Sequence, residues 1–156
     1  MNTQEILISE LNKLLKGGSA HASFDHAIKG LSLKTIGQKV DKLPYTIWQL
    51  VEHIRITQWD MLEFSKSAKH VSPKWPEDYW PKEAAPADEA AWEKSLQQIK
   101  DDLADFIHLL KDADLYTNLA HGDGQNILRE ALQIADHNSY HTAEIIMVRR
   151  LLGDWK

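Results

Sequence analysis

A chain of 156 residues with 43% hydrophobic and 26% charged side chains and a formal net charge of -5 reads as a mildly acidic soluble domain. Such a length buries roughly 70% of the unfolded chain's surface without help from disulfides, and the lack of any cysteine excludes a disulfide scaffold, a thiolate zinc site, an iron-sulfur cluster and a cysteine nucleophile. No five like charges run together, so neither nucleic acid nor an anionic membrane surface is expected as a partner.

The first fifteen residues place Leu7, Leu11 and Leu14 at helical spacing, and Gly17-Gly18 ends the segment. They lack the unbroken apolar stretch and small-residue cleavage site of a signal peptide, and nowhere do 18 apolar residues follow one another. The expectation is a cytoplasmic chain with no membrane span. Residues 17 to 44 hold four glycines among short apolar groups such as Phe24, Ile28, Leu31, Leu33 and Ile36, which predicts one or two short helices in a long crossover.

After Pro44, the positions of Ile47, Leu50, Ile54 and Met61 mark a second long helix. Residues 68 to 87 contain Pro73, Pro76, Pro81 and Pro86 with Trp75, Tyr79 and Trp80, so this stretch breaks helices while its aromatics need cover. It is expected to pack on the bundle; a substrate lid is the other reading. Between residues 88 and 112, Trp92, Leu96, Ile99, Leu103, Phe106 and Leu110 step by fours and threes, one apolar stripe on a helix. A last helix, about 126 to 152, puts Ile127, Ala131, Ile134, Ile145, Val148 and Leu152 on one face and stops at Gly153.

No segment alternates with period two over strand length, so no sheet is expected. The predicted fold is an all-α four-helix bundle, a single domain over 1–156, with a long crossover and a Pro/Trp-rich loop. Its three later helices, at about 23 to 27 residues, would each run roughly 35 to 40 Å.

Of the eight histidines, position singles out three. His137 and His141 are spaced i, i+4 on the last helix, within reach of one ion, and His141 interrupts the apolar stripe between Ile134 and Ile145. His53, between Leu50 and Ile54, interrupts the second long helix in the same way. Three neutral imidazoles on facing helices suit a divalent ion with an open position, whereas core histidines each bonded to a backbone or side-chain group would produce the same pattern. Other metal architectures fail on spacing: Asn138 stands where a zincin needs its glutamate, and no twin Glu-x-x-His pairs exist for a di-iron centre. Glu144, three residues after His141 and seven after His137, shares their face. It can serve as a fourth ligand, a proton acceptor, or an acceptor for an imidazole N–H, and because three histidines suffice to hold an ion, a catalytic role in proton transfer is the expectation. Tyr140 is expected to pack against a neighbouring helix, His121 to lie in an exposed loop, His21, His26, His70 and His108 to be surface or boundary residues, and Arg149-Arg150 to be a solvated pair.

The run from Leu128 to His141, continuing from Glu144 to Trp155, together with Trp48 to His53 and, more loosely, Gly17 to Phe24, resembles the DinB-like family of metal-binding four-helix bundles, which takes in YfiT-type and bacillithiol-transferase-like proteins. The resemblance spans nearly the whole chain. It implies a bundle holding one divalent ion on His53, His137 and His141, often as a homodimer, with relatives that transfer low-molecular-weight thiols such as bacillithiol or mycothiol to electrophiles. Where the family carries Gly followed by Gln or Glu, Ala143 replaces the Gly and Glu144 keeps the acidic variant; the extra methyl would crowd a helix contact.

Three functions follow as expectations: a metal-dependent transferase of a small thiol, a metal-dependent hydrolase using activated water, and a non-enzymatic metal- or ligand-binding bundle. Zn or Ni suits an all-imidazole site. With no cysteine in the chain, any thiol must arrive as a small-molecule cosubstrate.

Overall fold

The structure is a computed structural model and describes residues 2–155. Its regular elements are helices, and no strand occurs among the described residues: α1 (Thr3–Lys16), α2 (Phe24–Ile28), α3 (Leu33–Ile36), α4 (Ile47–Lys66), a single 3-10 turn (Glu77–Tyr79), α5 (Glu89–Leu109) and α6 (Ile127–Leu151). The predicted all-α bundle is what forms. The helices begin where the sequence offers caps. Asn2 and Glu5 form a reciprocal capping box at α1, Thr46 and Gln49 form another at α4, and the side chains of Asp88 and Asn126 accept from the first turns of α5 and α6. Gly17, at φ 67, ends α1 in a conformation that a side chain would strain. At 20 and 21 residues, α4 and α5 are shorter than their apolar periodicity suggests, about 30 Å each, and only α6, at 25, reaches the expected length.

Around the bundle, α4 packs on α5 and α6, while α1 closes the ring against α6 and α5. The interior divides into two apolar clusters. One gathers the first turns of α4, Trp92 and Ile99 of α5, and Ile145 and Val148 near the end of α6, with α2 and α3 beneath. The other gathers Leu11 and Leu15 of α1, Leu62 at the end of α4, Phe106 of α5 with Leu110 just past its end, and the first turns of α6. Hence α4 runs parallel to α5 and antiparallel to α6. Between the clusters lies a band of buried polar side chains, His53, Thr57, Gln58, His141 and Thr142. This is where any functional group inside the bundle must sit, because a buried polar residue needs a partner that apolar layers do not supply.

Residues 68 to 87 form a strap that runs back along α4. His70 Nε2 meets Asp60 Oδ1 at 2.7 Å, the Tyr79 hydroxyl donates to Asp60 Oδ2 at 2.6 Å, Gln49 donates to the Pro81 carbonyl, and Thr46 donates to the Ala84 carbonyl. As the strap ascends in number its partners on α4 descend, and that order returns the chain to the start of α5. The loop therefore packs on the bundle, as expected, although Trp75 stays 67% exposed.

Two further details of the fold depart from the sequence reading. Leu14 points outward and Leu15 takes the inner position of α1. Arg149 is buried rather than solvated: its guanidinium donates to the carbonyls of Ala27, Lys29 and Asp154 and pairs with the Asp154 carboxylate at 3.1 Å, tying α6 to the crossover and to its own end.

Candidate metal centre

His53 and His141 are buried at the seam between the two clusters and His137 is half-buried beside them. The antiparallel packing of α4 on α6 brings the three rings into an almost equilateral triangle, with centroids 4.8, 4.6 and 4.5 Å apart and planes inclined by 60 to 89°. One nitrogen from each lies within 4.8 Å of the others.

Hydrogen bonds fix the tautomers. The Tyr79 carbonyl can only accept, so His53 Nδ1, 2.9 Å away, carries the proton and Nε2 keeps its lone pair. The Glu144 carboxylate, 2.6 Å from His141 Nδ1, likewise leaves Nε2 as the free nitrogen of His141. His137 Nε2 lies 3.0 Å from His53 Nε2. Two nitrogens that share an ion at about 2.0–2.1 Å, with angles between 90 and 109°, stand about 2.9–3.4 Å apart. That pair stands at the spacing of two ligands on one divalent ion, and the His141 nitrogen, within 4.8 Å of both, completes a group that could hold one. His137 is the least firmly oriented of the three, since its Nδ1 is buried with no hydrogen bond.

The electrostatics favour ligation too. Burial, and then the neighbouring His141, hold the His53 imidazole down to about 4 against the carbonyl of Tyr79, which acts the other way. Burial, followed by His141 and His53, holds His137 down to about 3; the Asn138 side chain, near the ring but without a well-formed bond, opposes this weakly. Both rings are neutral at pH 7, the form that binds metal.

A family model described as the DinB superfamily matches residues 19–145. The chain belongs to the DinB superfamily. Neither a curated protein nor a solved structure gives a match. In this DinB chain the three histidines singled out from spacing are brought together, and Glu144 stands behind His141, outside the group of converging nitrogens. Ala143 is exposed, so its methyl group crowds nothing.

Sequence reasoning missed what surrounds the triad. Trp80 stacks on His53 and Tyr45 stacks on Trp80, each at 3.8 Å and 9°, so a three-ring pile covers the outer side of His53. A carbonyl acceptor such as that of Tyr79 leaves no mark in a sequence, but an aromatic-rich loop demanding cover did point to Trp80. Tyr140 does not pack against another helix as expected; it is 63% exposed and stands edge-on to His141. His121 is exposed in its loop and bonds to the Phe64 carbonyl, while His21 meets Ser139 and His70 meets Asp60, all away from the triad.

Proposed function

We propose that this chain is a metal-dependent transferase that joins a low-molecular-weight thiol to an electrophile. The observation that carries the reading is the convergence of three imidazole nitrogens, two of them on rings held neutral by burial, in a group of only three ligand atoms. A divalent ion there, Zn or Ni by their affinity for imidazole, supplies Lewis acidity at an open position and lowers the pKa of a thiol or water placed on it. The chain's own residues set up that position. Tyr79 and Glu144 keep the protons of His53 and His141 on the outer nitrogens, and Trp80 with Tyr45 walls His53 from water. Glu144, partly exposed, accepts from His141 Nδ1 and has its own open side toward solvent, where it can take up a proton directly. The thiol is a cosubstrate, because the chain has no cysteine, and small thiols are kept reduced in the cytoplasm, where this reading places the protein.

The test is turnover of the metal-loaded chain with bacillithiol, mycothiol or cysteine and chlorodinitrobenzene, run beside p-nitrophenyl acetate without thiol. Thiol-dependent product that disappears in His53→Ala is expected. Ester hydrolysis independent of thiol would replace the transferase by a hydrolase, and bound metal with neither activity would leave a metal-binding bundle.

A further inference from the structure

His53 Nδ1 has two polar neighbours. The Tyr79 carbonyl lies 2.9 Å away and can only accept, whereas the Thr57 hydroxyl stands at 3.5 Å, the limit of a hydrogen bond, and can donate or accept. The carbonyl therefore chooses the tautomer. If it drew back, the proton could settle on Nε2, the atom 3.0 Å from His137 Nε2, and that nitrogen would lose the lone pair it offers to a metal. The centre thus depends on whatever holds the carbonyl in place.

Tyr79 closes a 3-10 turn of three residues in the strap, with no long helix to brace it. Its own side chain is the brace. The hydroxyl donates to Asp60 Oδ2 at 2.6 Å, and the ring is buried, with Trp75 edge-on to it. Asp60 follows His53 by seven residues on α4, which puts it two turns or about 10.5 Å further along and within about 20° of the same face. Tyr79 therefore lies along α4 as a strut, its carbonyl at His53 and its hydroxyl at Asp60.

Asp60 is fixed from its other side as well. Its Oδ1 meets His70 Nε2 at 2.7 Å, both side chains are largely buried, and Trp59 stands edge-on to the His70 ring. One carboxylate so takes both ends of the segment from 70 to 79, the part of the strap that carries Pro73 and Pro76. Hydrogen bonds to a carboxylate are roughly twice as strong as those between neutral groups, which suits an anchor. Asp60 is not one of the converging ligand residues, so its effect on the centre passes through Tyr79.

We propose that Asp60 is a positioning residue for His53: by gripping the Tyr79 hydroxyl it holds the Tyr79 carbonyl on Nδ1 and keeps the ring's proton off Nε2. The use of this arrangement rests on the metal reading above, but the arrangement itself can be measured without metal.

The test is nitrogen NMR of the imidazoles in the full-length chain at pH 7, freed of metal by a chelator, with zinc affinity measured beside it by competition. Tyr79→Phe removes the hydroxyl and keeps the ring and the carbonyl, while Asp60→Ala removes the acceptor. The unaltered chain should show His53 as the single Nδ1–H tautomer. Each variant should bring the Nε2–H tautomer to at least about a tenth of the population and weaken zinc binding about 10-fold, the lower end of what groups behind a ligand contribute. Because both changes cut one bond, the double variant should bind zinc no more weakly than the weaker single one. A folded Tyr79→Phe chain in which His53 stays wholly Nδ1–H overturns the inference, and so do two losses of affinity that add in the double variant. An unaltered chain that binds no zinc would sink the metal reading alone, since the His53 tautomer in Tyr79→Phe still decides for or against Asp60.

Discussion

The Glu144 carboxylate meets His141 on its Nδ1 side, 2.6 Å away, opposite the nitrogen left for a metal. In that place it acts through His141, setting the ring's orientation. Glu144→Gln should therefore weaken metal binding about 10- to 100-fold, read by competition with a chelator. Full metal affinity with turnover lowered about 100-fold would instead make Glu144 a proton acceptor. The histidines themselves predict a pH dependence. His53 and His137 are held down to about 4 and about 3, below the ordinary 6.5 of the unfolded chain, so between pH 4 and 6.5 the unfolded state binds more protons. Their neutral forms contribute stability that is full above about pH 6.5 and is lost as pH falls toward 4. Glu130 and Asp102, whose carboxyls burial raises, act in the opposite sense from the lower end of that window. Denaturant titration of metal-free protein should show stability falling from pH 7 to pH 4.5; a flat profile would mean that the rings are hydrated and unshifted. At this scale spacing revealed the three histidines because each breaks an apolar stripe. It hid Arg149, whose burial depends on carbonyls of Ala27 and Lys29 more than a hundred positions away.

Among the elements, the strap along α4 holds the centre together, since it brings both the Tyr79 carbonyl and the Trp80 ring to His53. It lies so close to the end of α3 that a Cβ built on Gly37 would stand 2.5 Å from the Ala85 Cβ and 3.3 Å from its Cα. Gly37 has φ -93, which any residue adopts, so its glycine answers to this approach and not to backbone strain. Gly37→Ala should cost about 1–3 kcal/mol in denaturant unfolding, as overpacking does, with much of it restored by Ala85→Gly in the same chain. Unchanged stability would show that the strap shifts freely. Trp80→Ala should leave the helices intact yet loosen His53, seen as weaker metal binding with unchanged helical circular dichroism. The long helices were legible because a 3.6-residue period and side-chain caps are local signals, as at Thr46 and Asn126. The strap's path was not, because its bonds pair loop carbonyls with α4 side chains, and composition says only that the aromatics need cover. The phase of α1 was misread for a similar reason: Leu14 and Leu15 are adjacent, and only packing on α6 decides which one turns inward.

For the whole molecule, the outer face of α6 leaves Tyr140, Met147 and Leu151 exposed at helical spacing, and among the described residues no segment covers them. A homodimer that buries this face is the expected assembly; light scattering should give about twice 17.9 kDa, and Met147→Glu should return it to one chain. A single-chain mass at micromolar concentration rejects the assembly. Among the described residues no helix is long and apolar enough to cross a membrane. The division of the interior matters more for stability. The histidine triad lies in the polar band between two apolar clusters, on two of the three helices that both clusters share, so an ion there would fasten α4 to α6 where apolar packing is interrupted. An ion that binds only the folded chain adds about 2.7 kcal/mol when its free concentration is 100 times its Kd. For a chain of this size each kcal/mol moves Tm by about 2–4 °C. Loading with Zn or Ni should thus raise Tm by roughly 5–11 °C over the chelated protein, and the increment should vanish in His53→Ala, which removes the α4 side of the clamp. Equal Tm values for loaded and chelated protein, with metal content confirmed to differ, would place the ion outside this seam and remove the structural basis for the centre.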